Sequence, residues 1–159
     1  KKKAKYLDHV DEKNKIASLD APSFKHMAFA GQPTKDELKA AKKEGYEVII
    51  NLRSATEMEW NEAEFVNKQG MTYYNVALLD KDGEINPAAV LKLERIHKET
   101  HKQKQLIHCS SGNRAAAWMA AHLMVKHGMS ADKALEIARP LGITKKAIEQ
   151  KVIDFSKTL

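Results

Sequence analysis

The sequence predicts an α/β protein: a central, mainly parallel sheet of four to five strands, flanked by helices. Three observations carry that expectation. Short β-branched apolar runs alternate with longer amphipathic stretches. Capping residues and glycine stops mark the boundaries between them. Strands separated by helices need right-handed crossovers, which cover both faces of a parallel sheet.

The elements follow in order. Residues 1–20 are charged and are expected to form an N-terminal arm or short helix, ahead of one domain over residues 21–159. Residues 26–30 read as a strand, ended by Gly31-Gln32-Pro33. Thr34 and Glu37 have capping-box spacing, and the helix they start should stop at Gly45. Val48-Ile49-Ile50-Asn51-Leu52 is a buried strand by its β-branched run. Ser54 and Glu57 should cap a second helix carrying Trp60, Phe65 and Val66, and residues 72–76 a third strand. Asn86-Pro87 opens a long helix, with Val90, Leu91, Leu93 and Ile96 on its inner face. Residues 105–108 are the fourth strand, and residues 113–127 the helix after it, ended by Gly128. Ser130 and Thr144 should begin two more helices.

Bulk properties narrow the function. In 159 residues, 43% are apolar and 30% charged, which suits a globular domain. No apolar run approaches membrane-spanning length, so no membrane partner is expected. The net charge is +6, but the lysines are scattered and no nucleic-acid motif accompanies them. Nucleic acid is therefore not expected, whereas a small anion suits the field. The chain starts Lys1-Lys2-Lys3 without methionine, implying trimming. The compartment is expected to be cytoplasmic, or periplasmic with a leader removed.

Chemistry concentrates in His108-Cys109-Ser110-Ser111-Gly112-Asn113-Arg114, which holds the only cysteine. A strand leads in and a helix leads out. Ligands of open α/β sheets bind beyond such strand ends. The helix N-terminus, the backbone N–H groups of Ser110 to Arg114, and the Arg114 charge all favour a thiolate at Cys109. Gly112 permits the backbone turn. The same N–H groups and the Arg114 fork suit a tetrahedral oxyanion. The plainer alternative is an inert cysteine buried at a strand end.

The His-Cys loop resembles the signature loop of cysteine-dependent phosphatases, and the element order resembles the dual-specificity phosphatase fold. Phe29-Ala30-Gly31-Gln32-Pro33, Val48-Ile49-Ile50-Asn51-Leu52-Arg53 with Glu57, and His108-Cys109 through Arg114-Ala115 together resemble a bacterial phosphatase-like family. That family was long labelled a domain of unknown function and is sometimes fused to β-lactamase-like hydrolase domains. The resemblance spans residues 22–130. It implies a dual-specificity-like fold and hydrolysis of a phosphomonoester, on phosphotyrosine or phosphoserine, through a phosphocysteine. Cys109 is then the nucleophile, and Ser110, Ser111, Gly112, Asn113 and Arg114 hold the phosphate. Asp80 is the acid, with Asp82 as the alternative. His108, Arg53 and Glu57 are expected to brace the site, Arg53 pairing with Glu57. The partners are a phosphorylated substrate or an inorganic oxyanion.

Two departures keep other readings open. The interval from Cys109 to Arg114 is one residue shorter than in typical phosphatases, and rhodanese sulfurtransferases share it. Ala115 replaces the hydroxyl residue that usually follows the arginine, so Ser110 or Ser111 would have to substitute. A persulfide-carrying sulfurtransferase and a non-catalytic oxyanion-binding module therefore stand as alternatives. No metal or cofactor is expected: His97 and His101 read as a solvent-facing pair, and His122 with His127 is weaker still. Trp60 and Trp118 read as core.

Overall fold

The computed structural model describes residues 6–159. Its strands are β1 (Val10–Asp11), β2 (Lys15–Ile16), β3 (Leu19–Asp20), β4 (Ser23–Phe24), β5 (Met27–Ala30), β6 (Tyr46–Asn51), β7 (Thr72–Asn75) and β8 (Lys104–His108). Its helices are α1 (Lys35–Lys43), α2 (Glu62–Lys68), α3 (Pro87–Thr100), α4 (Asn113–His127), α5 (Ala131–Ala138) and α6 (Lys146–Ser156). None is long and apolar enough to cross a membrane among the described residues.

The four strands read from the sequence form the parallel body of a six-stranded sheet, ordered β1-β4-β5-β8-β6-β7. β1 and β4 extend it antiparallel at the β5 edge. Each has two residues, too short to show a period in sequence. They bring part of the expected arm, residues 10–11, into the sheet, and β2 and β3 pair separately beside it.

Alternation along the strands decides the two layers. Met27 and Phe29 of β5, Val48 and Ile50 of β6, and Ile107 of β8 face the core shared with α3, α4, α5 and α6. Ala28, Ile49 and Leu106 face the opposite core, with Leu38 and Ala41 of α1 and Val66 of α2. Helix α4 is enclosed by the sheet and its neighbours, so its Ala115-Ala116-Ala117-Trp118-Met119-Ala120-Ala121 run is buried all round.

Three expectations need correction. Ser54 and Glu57 cap only a short 3-10 turn (Ala55–Glu57), and α2 starts afresh after Asn61, whose side chain accepts from Glu64 N–H. The last helix is capped at Lys145 rather than Thr144, because Asn113 Oδ1 accepts both the Thr144 and Lys145 N–H groups and holds that loop extended. Leu91, expected on the inner face of α3, is 62% exposed. Val90 and Leu93 fill the core there, and Leu91 lies off their stripe.

Candidate active site

β8 ends at His108, and α4 begins at Asn113, so Cys109 to Gly112 make the turn between them. The end of β5 clamps that turn. Cys109 N–H donates to Ala30 O at 3.2 Å, and Gln32 N–H donates to Ser110 O at 3.1 Å. Gly31 bridges to Ser111, and a Cβ at Gly31 would lie 2.8 Å from Ser110 O. Only glycine permits this approach. Gly112 reverses the chain into α4 with φ 92°, in the left-handed region.

Cys109 has no exposed surface. Its Sγ accepts the Gly112 N–H at 3.1 Å, one of the N–H groups at the α4 N-terminus without a helical partner. Arg114, in the first turn of α4, extends back over the loop. Its Nη1 donates to Glu57 Oε2 at 2.9 Å and its Nη2 to Glu57 Oε1 at 2.8 Å. Nη2 also donates to Ser110 Oγ at 3.1 Å. The Arg114 hydrogen bonds, with those from Ser54, hold the Glu57 carboxyl down at about 2. Glu57 in turn holds the Arg114 guanidinium above its ordinary value, with a further contribution from Cys109. A carboxylate thus sits on the guanidinium edge that would grip a bound oxyanion.

Behind the loop lies a polar chain that the sequence did not reveal. His108 Nε2–H donates to Glu62 Oε2 at 2.6 Å, with both side chains buried. Glu62 Oε1 accepts from Gln32 Nε2 at 2.8 Å, and Gln32 Oε1 accepts from Arg53 Nη1 at 2.6 Å. Arg53 Nη2 donates to the Glu57 backbone carbonyl. The chain therefore runs from His108 through Glu62, Gln32 and Arg53 to Glu57 and Arg114. Arg53 Nε and Glu57 Oε1 form the expected ion pair at a long 3.9 Å, while Arg114 holds both carboxylate oxygens at shorter range.

No protein-family model matches the chain. Solved structures do. The kinase associated phosphatase KAP, with its catalytic cysteine changed to serine, aligns at TM-score 0.72 and 15% identity, covering 84% of this chain and 86% of that one. TpbA of P. aeruginosa aligns at TM-score 0.70 and 13% identity, covering 92% and 89%. A DUF442 protein of Shewanella putrefaciens CN-32 aligns at TM-score 0.65 and 16% identity, covering 97% and 96%. The chain has the fold of the dual-specificity and tyrosine phosphatases.

Within this phosphatase fold the other expected site residues are distributed unequally. Ser110 points to Arg114 and Glu57, as a cradle residue would. Asn113 spends its side chain on Ser111 Oγ, Thr144 and Lys145. Asp80 and Asp82 are exposed in the turn after β7. Asp80 Oδ1 accepts the Asp82 and Glu84 N–H groups at 2.9 and 3.0 Å, which shapes that turn. Among the described residues neither carboxylate is hydrogen-bonded to the Cys109 loop.

A cavity of about 650 Å³ opens beside Ser110, lined by Gln32, Lys35, Arg53, Glu59 and Trp60. Trp60 is half-buried: it packs against the core beside α1 and α2 and also lines this cavity, whereas Trp118 is fully buried as expected. The Lys35 ammonium lies 5.4 Å from the Trp60 ring centroid. No group of three or more His, Cys, Asp or Glu residues is placed to hold a metal ion among the described residues.

Proposed function

We propose that the chain is a cysteine-dependent phosphatase acting on a phosphomonoester through a phosphocysteine at Cys109. One juxtaposition carries the reading: the Cys109 sulfur lies under the α4 N-terminus, with the Gly112 N–H on it and Arg114 beside it. The phosphatase fold supports it.

Cys109 thiolate attacks the phosphorus while loop N–H groups and Arg114 hold the three non-bridging oxygens. The ester oxygen leaves with its bond electrons and takes a proton from Asp80 or Asp82, after the turn releases that carboxyl towards the loop. Water then attacks the phosphocysteine, giving a proton to the same aspartate, now a carboxylate, and frees phosphate and the thiolate. Glu57 yields one or both Arg114 hydrogen bonds when the phosphate arrives. The cavity at Ser110 has room for an aryl leaving group against Trp60, which favours phosphotyrosine. One solved form of TpbA, altered from cysteine to serine, is itself a complex with pTyr.

The test is hydrolysis of p-nitrophenyl phosphate by the natural chain and by Cys109→Ser, beside thiosulfate-to-cyanide sulfur transfer. Hydrolysis that Cys109→Ser abolishes is expected. Sulfur transfer without hydrolysis would replace this reading with the persulfide carrier. Activity in neither assay would leave an oxyanion-binding module.

A further inference from the structure

A second cavity, of about 640 Å³, lies between α3 and α4, and no residue of the Cys109–Arg114 loop lines it. Its walls combine three features. Three large apolar side chains are exposed among the described residues, and two of them, Leu91 at 62% and Val125 at 38%, line this cavity. Arg95, Lys98 and Lys126 stand around it, giving it a positive rim.

Histidine rings form the third feature. His97 and His122 pack edge to face with centroids 4.8 Å apart, and His122 and His127 at 5.6 Å. This corrects the expectation of a solvent-facing pair at His97. That ring is half-buried, packs against Trp118 and bonds Gln105 Oε1 through Nδ1 at 3.1 Å. Burial holds His97 and His127 below the ordinary imidazole value, so at neutral pH both are uncharged aromatic wall. The one carboxylate in the cavity, Glu94, has both oxygens 2.8 Å from His122 Nδ1. Its hydrogen bonds go to that ring, and its single negative charge is outnumbered by the three cations of the lining.

We propose that this cavity binds a small amphiphilic anion. A carboxylate or phosphate head would rest on Arg95, Lys98 and Lys126. An aliphatic or aromatic body would cover Leu91 and Val125 and the edges of the histidine rings. The volume falls in the range of small-molecule sites, about 300–1,000 Å³. Two exposed apolar side chains are far fewer than a protein interface of about 800 Å² per partner requires. Apolar wall and cationic rim select an ion that is neither purely inorganic nor uncharged.

Calorimetric titration with sodium decanoate below its micellar concentration tests this. Saturating inorganic phosphate is present, to occupy the Cys109 cradle without filling the apolar wall. Saturable binding is expected. Arg95→Glu combined with Lys98→Glu should weaken it about tenfold, and Leu91→Ser by a similar factor. All three positions are exposed, so folding is not at risk, and p-nitrophenyl phosphate hydrolysis should be unchanged in both variants. Equal affinity for decanol, or undiminished decanoate binding in either variant, would overturn the proposal. Binding only to anionic phosphatidylglycerol vesicles, and not to monomeric decanoate, would also overturn it in favour of a membrane surface. So would the absence of any binding.

Discussion

Glu57 holds Arg114 with both carboxylate oxygens, at 2.8 and 2.9 Å, across 57 positions of chain. The carboxylate has the geometry of two phosphate oxygens on a guanidinium fork. It keeps Arg114 extended over the loop, and it competes with any anion that enters. Glu57→Gln keeps the shape and removes the charge. Inorganic phosphate should then inhibit p-nitrophenyl phosphate hydrolysis at concentrations roughly five- to tenfold lower. Weaker inhibition by phosphate would show that Glu57 chiefly positions Arg114.

The same pair makes stability depend on acid. The Glu57 carboxyl lies at about 2 in the folded chain against an ordinary 4.5. Between those values the unfolded chain binds the extra proton, so stability rises with pH. The contribution is complete above the ordinary value and disappears as pH falls towards 2. Thermal melts of the natural chain and of Glu57→Gln should therefore differ at pH 7 and converge as the medium approaches that value. A difference that persists unchanged into strong acid would mean that the ion pair does not supply it.

His108 and Glu62 form the most deeply enclosed side-chain hydrogen bond behind the loop, with 0% and 2% of their side chains exposed. Removing one member of a buried hydrogen-bonded pair leaves the other unsatisfied and costs about 1–3 kcal/mol. Glu62→Ala should lose that much in urea unfolding, whereas the double variant with His108→Ala should lose much less than the sum of its parts. Additive losses in the cycle would show that the two side chains do not act as a unit.

How far the sequence reveals these contacts depends on their separation along the chain. The Cys109 loop is legible because its parts are contiguous: a β-branched strand, Gly112 and an alanine-rich helix within a few residues. The Arg53–Glu57 pair is legible from local spacing, but the closer Arg114–Glu57 pair is not, because Arg114 arrives from another element. Glu62 looks like an ordinary first-turn acid of α2, and only the stacking of β8 against β6 and β5 brings His108 to it, 46 positions later. Gln32 stands in the Gly31-Gln32-Pro33 turn, where its side chain has no local partner to betray its role. Leu91 follows the apolar pattern of α3, but periodicity alone cannot tell a core stripe from its exposed margin.

Gly31 tests how closely β5 must approach the loop. Gly31→Ala places a Cβ 2.8 Å from a backbone oxygen, so the β5 end or the loop must shift. The cost should be about 1–3 kcal/mol in unfolding free energy. Loop displacement should also remove most hydrolytic activity while the circular dichroism spectrum stays unchanged. Full activity in Gly31→Ala would mean that the β5 end can retreat without moving Ser110.

Ala115 bears on the second chemical step. It follows Arg114 in the first turn of α4, fully buried, and offers no hydroxyl to the sulfur. Ser110 Oγ accepts from Arg114 and donates to Glu57 Oε1 at 3.4 Å; Ser111 Oγ accepts from Asn113 and keeps its own O–H to donate, but neither hydroxyl is hydrogen-bonded to the Cys109 sulfur. In the proposed mechanism the thiolate that leaves the phosphocysteine is met by the Gly112 N–H and Arg114, with no hydroxyl yet bonded to it. Phosphocysteine should accumulate, and stopped-flow traces should show a burst of p-nitrophenol before a slow steady state. Ala115→Ser adds one hydrogen bond to a developing charge. It should shrink the burst and raise steady-state turnover by about tenfold. A burst of the same amplitude in both forms, with equal steady-state rates, would show that the hydrolytic step does not depend on a hydroxyl at this position.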